Sequence, residues 1–164
     1  MKRGPLESWL EQLVPGAKRL RSVLGWSLPG APHGAALTEP SEGVSNSGRD
    51  NVEHDYICRV GDRLVAQGSK AAYEVLGWLG RGAFGQVLKC RSSEGGRLAA
   101  VKVLKHEAVC ESMASQVDEE VAVLRRLNSI EAPGDAHVVR MLDAFVVHGH
   151  RCIAFELLGP DLLQ

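Results

Sequence analysis

The chain has 164 residues, 45% of them hydrophobic and 24% charged, with a formal net charge of −1 at pH 7. Those are ordinary values for a globular protein: there is no basic excess of the kind that marks a nucleic-acid binder, and no apolar run approaches the ~20 residues a membrane-spanning helix needs. Four cysteines, Cys58, Cys90, Cys110 and Cys152, are scattered with no C-x-x-C pair, which points to free thiols in a reducing compartment and away from a disulfide frame or a zinc site.

The first 28 residues open Met-Lys-Arg, but Glu7 and Glu11 interrupt any apolar core, so no secretory signal is expected. Ser8 and Glu11 stand at capping-box spacing, and Trp9, Leu10, Leu13, Leu20 and Leu24 keep roughly helical intervals. Pro15-Gly16 breaks that pattern, so two short turns are expected in place of one helix. Lys18, Arg19 and Arg21 form a small basic cluster. It could serve as a nuclear address, a membrane-surface helix or a docking segment, but the plainer reading is a solvated, marginal helix, since short isolated helices are weak in water.

Residues 29–50, PGAPHGAALTEPSEGVSNSGRD, are dominated by Pro, Gly, Ser and Glu and show no apolar period. Such a stretch buries too little surface to offset its ordering entropy and reads as a disordered linker. Five of the seven prolines fall in the first 40 residues, which supports a boundary there. We therefore divide the chain into a disordered or partly helical extension (1–55), an extended lead-in (56–72) and a folded unit (73–164). The lead-in, with Tyr56-Ile57-Cys58-Arg59-Val60 and Gly61-Asp62, is expected to pack on a sheet.

The folded unit is organised around Leu79 to Lys102, LGRGAFGQVLKCRSSEGGRLAAVK. Gly80, Gly82 and Gly85 form G-x-G-x-x-G, followed by Val87, a turn-like Ser-Ser-Glu-Gly-Gly, and Ala100-Val101-Lys102. Glycines let a backbone approach phosphates closely, and this motif occurs in two unrelated nucleotide-binding settings. In a dinucleotide-binding βαβ unit the glycines open a helix. Here Gln86 to Arg91 is too short for a helix before the turn at 92–96, and Tyr73 to Leu79 reads as a strand. The glycines therefore sit at the tip of an antiparallel hairpin, with a third strand over 97–104 that carries Lys102.

A helix follows from about Ser112 to Leu127, with Val117, Val121, Leu124 and Leu127 on one stripe. Glu120 lies three residues after Val117 and four before Leu124, so it shares the face turned to the sheet. Glu119 is rotated away by about 100°. Glu120 is therefore the expected partner of Lys102. A loop over 128–136 leads to two strands, His137 to Phe145 and Arg151 to Leu158, joined at His148-Gly149-His150. Two histidines at that spacing do not make a metal site and read as exposed turn residues. Gly159-Pro160 ends the last strand.

The phrases YEVLGWLGRGAFGQVLKC, AVKVLKH, EVAVLRRLN and HGHRCIAFELLG resemble the N-terminal lobe of a eukaryotic protein kinase. Within that superfamily they are similar to the homeodomain-interacting protein kinases and their CDC-like and dual-specificity tyrosine-regulated neighbours. The resemblance covers Tyr73 to Leu163, a little over half of the chain. It implies an α+β fold: a five-stranded antiparallel sheet with one αC-type helix, the C-lobe absent. It also implies ATP as the bound nucleotide, Mg²⁺ with ligands in the C-lobe, and protein substrates bearing Ser, Thr or Tyr hydroxyls. No nucleic-acid or membrane partner is expected. The nucleus is the expected location, with the cytoplasm as the alternative.

The resemblance also assigns roles. Backbone N–H groups of Gly80, Arg81, Gly82, Ala83, Phe84 and Gly85 would cover the phosphates. Lys102 would neutralise α/β-phosphate oxygens, with Glu120 holding its ammonium. Leu79, Val87 and Ala100 would roof the base, and Phe155 would stand at its back. The Glu156 carbonyl and the Leu158 N–H would pair with the adenine edge, and Asp161 would reach the ribose. These 164 residues hold no H-R-D-type catalytic loop and no D-F-G aspartate. The expected function is thus the ATP-binding half of a Ser/Thr or dual-specificity protein kinase, inactive by itself. The alternatives are a non-catalytic kinase-like binding module and a dinucleotide-binding oxidoreductase.

Overall fold

The computed structural model describes residues 31–65, 71–82, 84–106, 111–130 and 139–158, with helix side chains from 117 to 129. The turns expected over the first 28 residues lie outside this range, as do Ala83, Asp161 and Cys110. Six strands form one antiparallel sheet: β1 (Arg63–Val65), β2 (Ala72–Gly82), β3 (Gly85–Ser92), β4 (Leu98–Leu104), β5 (Met141–Val147) and β6 (His150–Glu156), in the order β1-β2-β3-β4-β6-β5. One helix, α1 (Glu111–Ile130), connects β4 to β5. The sheet thus has one strand more than the five expected. The addition is β1, whose three residues are too few to display an alternating pattern, and which pairs with Ala72 to Glu74 at the start of β2.

Side-chain alternation gives the sheet two faces. On one, Val75, Leu88, Cys90, Ala99, Val101, Val103, Cys152 and Ala154 are buried in a single cluster, with Leu37, Tyr56 and Cys58 from the preceding segment packed among them. On the other, Leu104 and Ile153 pack against Val117 and Val121 of α1, with Met141, Ala144 and Phe155 alongside. The stripe of α1 fades along its length: Val117 and Val121 are buried, whereas Leu127 is 36% exposed. Asn128 fastens the end of the helix to the sheet. Its Oδ1 accepts the Met141 N–H at 2.7 Å, and its amide donates to the Val139 carbonyl.

For residues 31–50 the structure corrects the linker reading. They fold back over the first face of the sheet with backbone bridges Ala36–Arg59, Ser45–Asp50 and Asp50–Tyr56. Their order comes from polar side chains bonded to backbone. Asn51, fully buried, accepts the N–H groups of Glu53 and Asp55 and donates to the Pro40 carbonyl. The Thr38 hydroxyl donates to Gln86 Oε1 at 2.8 Å and accepts the Cys58 N–H. An argument from apolar content misses this, because bonds that satisfy the backbone, together with a few apolar anchors, replace a continuous hydrophobic stripe.

His150 is a second correction. It is fully buried, not exposed in a turn. Its Nδ1 lies 2.8 Å from the Leu104 carbonyl and its Nε2 2.8 Å from Asp50 Oδ1. A carbonyl can only accept, so Nδ1 carries a proton and Nε2 is left to share one with the Asp50 carboxylate. Both ring nitrogens are engaged in fastening the segment to the β5–β6 hairpin. His148 remains exposed, with positive φ, and stacks on Tyr56 at 5.9 Å.

Cys58, Cys90 and Cys152 are free and buried among these strands. Burial pushes all three thiols up, Cys90 to about 12. They are protonated packing groups at neutral pH. No helix among the described residues is long and apolar enough to cross a membrane.

Candidate functional site

The glycine-bearing hairpin is closed by the pair Gly82–Gly85, which leaves positions 83 and 84 as its tip. Phe84 stands there, 55% exposed. Gly85 has φ +148°, and a Cβ on it would meet the Val103 carbonyl oxygen at 2.2 Å. Only glycine fits where β3 begins against β4. Gly80 and Gly82 differ: a Cβ on either would meet nothing within 4 Å. Their backbone borders open space.

Lys102 occupies β4 with Val87 of β3 on one side and Ile153 of β6 on the other in register. Its Nζ is 3.6 Å from Glu120 Oε1, and the two side chains are 30% and 45% exposed. Glu119 is exposed. The helix is held at this position by Val117 and Val121 below and by an ion pair from Asp118 to Arg151 of β6. With Val117 and Val121 turned to the sheet and Asp118 paired to Arg151, Glu120 is left on the side that meets Lys102.

Beside this pair an open groove of about 380 Å³ is lined by Leu79, Ala100, Val139, Phe155, Glu156, Leu157 and Leu158. Sequence reasoning placed Leu79, Ala100, Phe155, Glu156 and Leu158 together, and the structure brings them together. Val139 and Leu157 were missed as lining residues, the one an apolar step before β5 and the other an apolar residue directly after β6. Val87, half-buried, shares the face of Ala100 and Lys102. Glu156 is fixed by its N–H to the Arg140 carbonyl at 2.9 Å and by Oε1, which accepts the Arg140 N–H at 2.8 Å. Arg81 turns its side chain elsewhere: the guanidinium pairs with Asp55 and Glu53 and donates to the Glu39 carbonyl. Only its backbone is left for a ligand. No cluster of metal-ligating side chains occurs among the described residues.

The arrangement is a fixed cation under a glycine-bearing hairpin, with an apolar groove next to it. It can hold an anion by charge and backbone N–H groups while a flat apolar group lies in the groove. Comparison with known proteins agrees with that chemistry. The family described as protein kinase domain matches residues 73–164. A probable serine/threonine-protein kinase yakA of Dictyostelium discoideum is 42% identical over 163 residues, 99% of this chain and 11% of that protein. The serine/threonine-protein kinase ppk15 of Schizosaccharomyces pombe is 41% identical over 130 residues, 78% of this chain and 23% of its own length. The human dual specificity protein kinase CLK1 is 41% identical over 117 residues, 70% of this chain and 22% of that protein. The chain thus spans under a quarter of the length of these curated relatives. A hairpin-borne G-x-G-x-x-G, an A-V-K strand and a helix glutamate paired with its lysine, all within the matched residues, place this chain in the protein kinase domain family.

Proposed function

We propose that this chain forms the ATP-gripping half of a Ser/Thr or dual-specificity protein kinase, the γ-phosphate passing to a hydroxyl of a protein substrate. The observation that carries the proposal is the Lys102–Glu120 pair at 3.6 Å on the floor of the glycine hairpin. The groove suits the nucleotide on its own terms. Leu79, Ala100 and Phe155 offer apolar walls for a base, and the space beside Gly80 and Gly82 lets phosphate oxygens approach the backbone. ATP supplies an activated phosphoryl group; the transfer asks the protein mainly for positioning and charge neutralisation.

In this reading Lys102 places a positive charge against phosphate oxygens, and Glu120 fixes the ammonium so that no ordering is needed at the moment of reaction. The Glu156 carbonyl and the Leu158 N–H bind the base edge, and Asp161 binds the ribose. The base that receives the hydroxyl proton and the Mg²⁺ ligands belong to a C-lobe, since no H-R-D or D-F-G occurs in these 164 residues. The nucleus is the proposed location, on the kinase-group resemblance alone; a fluorescent fusion excluded from nuclei would refute it.

The test is a γ-phosphate transfer assay. Purified 1–164 should show no transfer above background to a generic Ser/Thr substrate. Positioning contributes on the order of 7–11 kcal/mol only when both reactants are held. A chain in which a kinase C-lobe follows should be active, and Lys102→Met in that chain should abolish the activity. Transfer by 1–164 itself would overturn the half-site reading, and full activity with Lys102→Met would overturn the role of the lysine.

A further inference from the structure

The rung of the hairpin next to its glycine closure is the cross-strand pair Arg81–Gln86. Directly paired residues of antiparallel strands point to the same face, and both of these side chains are gripped by the segment that precedes the sheet. The Arg81 guanidinium forks, with Nη2 on the carboxylates of both Asp55 and Glu53 and Nη1 donating to the Glu39 carbonyl at 3.1 Å. Gln86, 2% exposed, donates from Nε2 to the Tyr56 carbonyl at 2.6 Å and accepts from the Thr38 hydroxyl at 2.8 Å. Asp55 is itself buried, and its Oδ1 has no hydrogen-bond partner among the described residues. Arg81 is therefore the counter-charge this carboxylate relies on, and the contact is not an optional surface pair.

A surface ion pair would do little to the hairpin, since it would exchange with water. Here the contacts are of another kind. Two side chains on the two strands of one rung are held at once, one by a forked charged interaction and one by a buried amide. The glycine tip begins one rung further on, at Gly82–Gly85. Its glycines carry no side chain, and backbone ties hold only its β3 side, where Gly85 pairs with Leu104 and the Phe84 carbonyl accepts the Lys105 N–H at 3.1 Å. The nearest side-chain anchors, and the nearest that reach the segment before the sheet, are Arg81 and Gln86. Resting on the ATP reading, we infer that Arg81 and Gln86 are positioning residues. By fastening the rung to Thr38, Glu53, Asp55 and Tyr56 they set where the hairpin amides meet the nucleotide phosphates, so the segment before the sheet tunes phosphate recognition as well as stability.

The effect must then be confined to the phosphates. The 164-residue chain is titrated with Mg²⁺-ATP and, separately, with adenosine, and the ratio of the two affinities is read for wild type and variants. Arg81→Met is combined with Asp55→Asn so that no buried carboxylate is left without its partner. The double variant should lose about tenfold in ATP affinity, the size of one hydrogen bond to a charged group, with adenosine affinity unchanged and amide exchange faster at 80–87. A double variant that keeps the wild-type ratio would overturn the inference while leaving the ATP reading intact. Wild type binding ATP no better than adenosine would overturn both. If the double variant does not fold, Arg81→Lys serves. It keeps the charge but loses the fork, and should give an intermediate ratio; an unchanged ratio there would also count against the inference.

Discussion

The two faces of the sheet are built by different chemistry. The covered face carries Val75, Leu88, Val101 and Cys152 under a segment whose own order rests on Asn51, Thr38 and the Asp50–His150 pair. The open face carries Val87, Ala100 and Lys102, with Val117 and Val121 of α1 filling only part of it and Leu158 still 63% exposed. Strand β4 serves both faces at once, and its residues are apolar on both sides except for Lys102. A strand apolar on both sides needs two covers. One is supplied in full by residues 31–62, and the other is left as a groove. The covered face makes the lobe stable, and the open face makes it useful.

Breaking the covered face should therefore cost the most stability. His150→Ala leaves the Asp50 carboxylate, in a site with about 2% exposure, with the Asn46 amide at 3.1 Å in place of its closer partner, and is expected to cost about 3 kcal/mol, the low end for removal of one partner of a buried pair. Chemical denaturation would measure it, and a loss below about 1 kcal/mol would mean that Asp50 is solvated after all.

The neighbouring residues Leu88 and Val87 sharpen the contrast, since they differ in face and hardly in position. Leu88 is fully buried, so Leu88→Ala should cost about 2–5 kcal/mol. Val87→Ala, on the half-open side, should cost about 1 kcal/mol or less and should weaken ATP binding, which Leu88→Ala should not do beyond its effect on folding. Equal losses at the two positions would contradict the two-face description.

Alkaline pH should also act through the covered face. Burial raises the thiols of Cys58, Cys90 and Cys152 above the ordinary thiol range near 9. Well below pH 9 each thiol is neutral in both states and stability is unaffected. Between pH 9 and about 12 the unfolded chain ionises first, so each thiol withdraws at most about 1.4 kcal/mol per pH unit. The denaturation midpoint should fall from pH 8 to pH 10, and changing the buried cysteines to alanine should flatten that fall. The smallest effect is expected at the surface. Arg91 and Glu74, 3.5 Å apart and about half exposed, form a pair whose loss through Glu74→Ala should change stability by no more than about 0.5 kcal/mol.

What the sequence disclosed follows the same division. Lys102 and Glu120 were legible because a strand pattern and a helical stripe each fix a face locally, and the hairpin tip was legible from Gly82 and Gly85. The cover was not. Thr38 finds Gln86 across 48 positions, and His150 finds Asp50 across 100; polar partners at such separation leave no period in the sequence. The one available sign was the double-sided apolar run Leu98-Ala99-Ala100-Val101, which asked for a second cover that composition alone denied to 31–50. Arg81 was placed by its backbone within the motif, and nothing local revealed that its guanidinium belongs to Asp55.

The most direct test of the central claim, that the open face grips a nucleotide through Lys102, is labelling of 1–164 with an adenosine acyl phosphate, which transfers its acyl group to a lysine held beside the phosphates. Peptide mapping should find Lys102 modified ahead of Lys89 and Lys105, with excess ATP slowing that reaction and no other. Even labelling of the three lysines, with no protection by ATP, would contradict it.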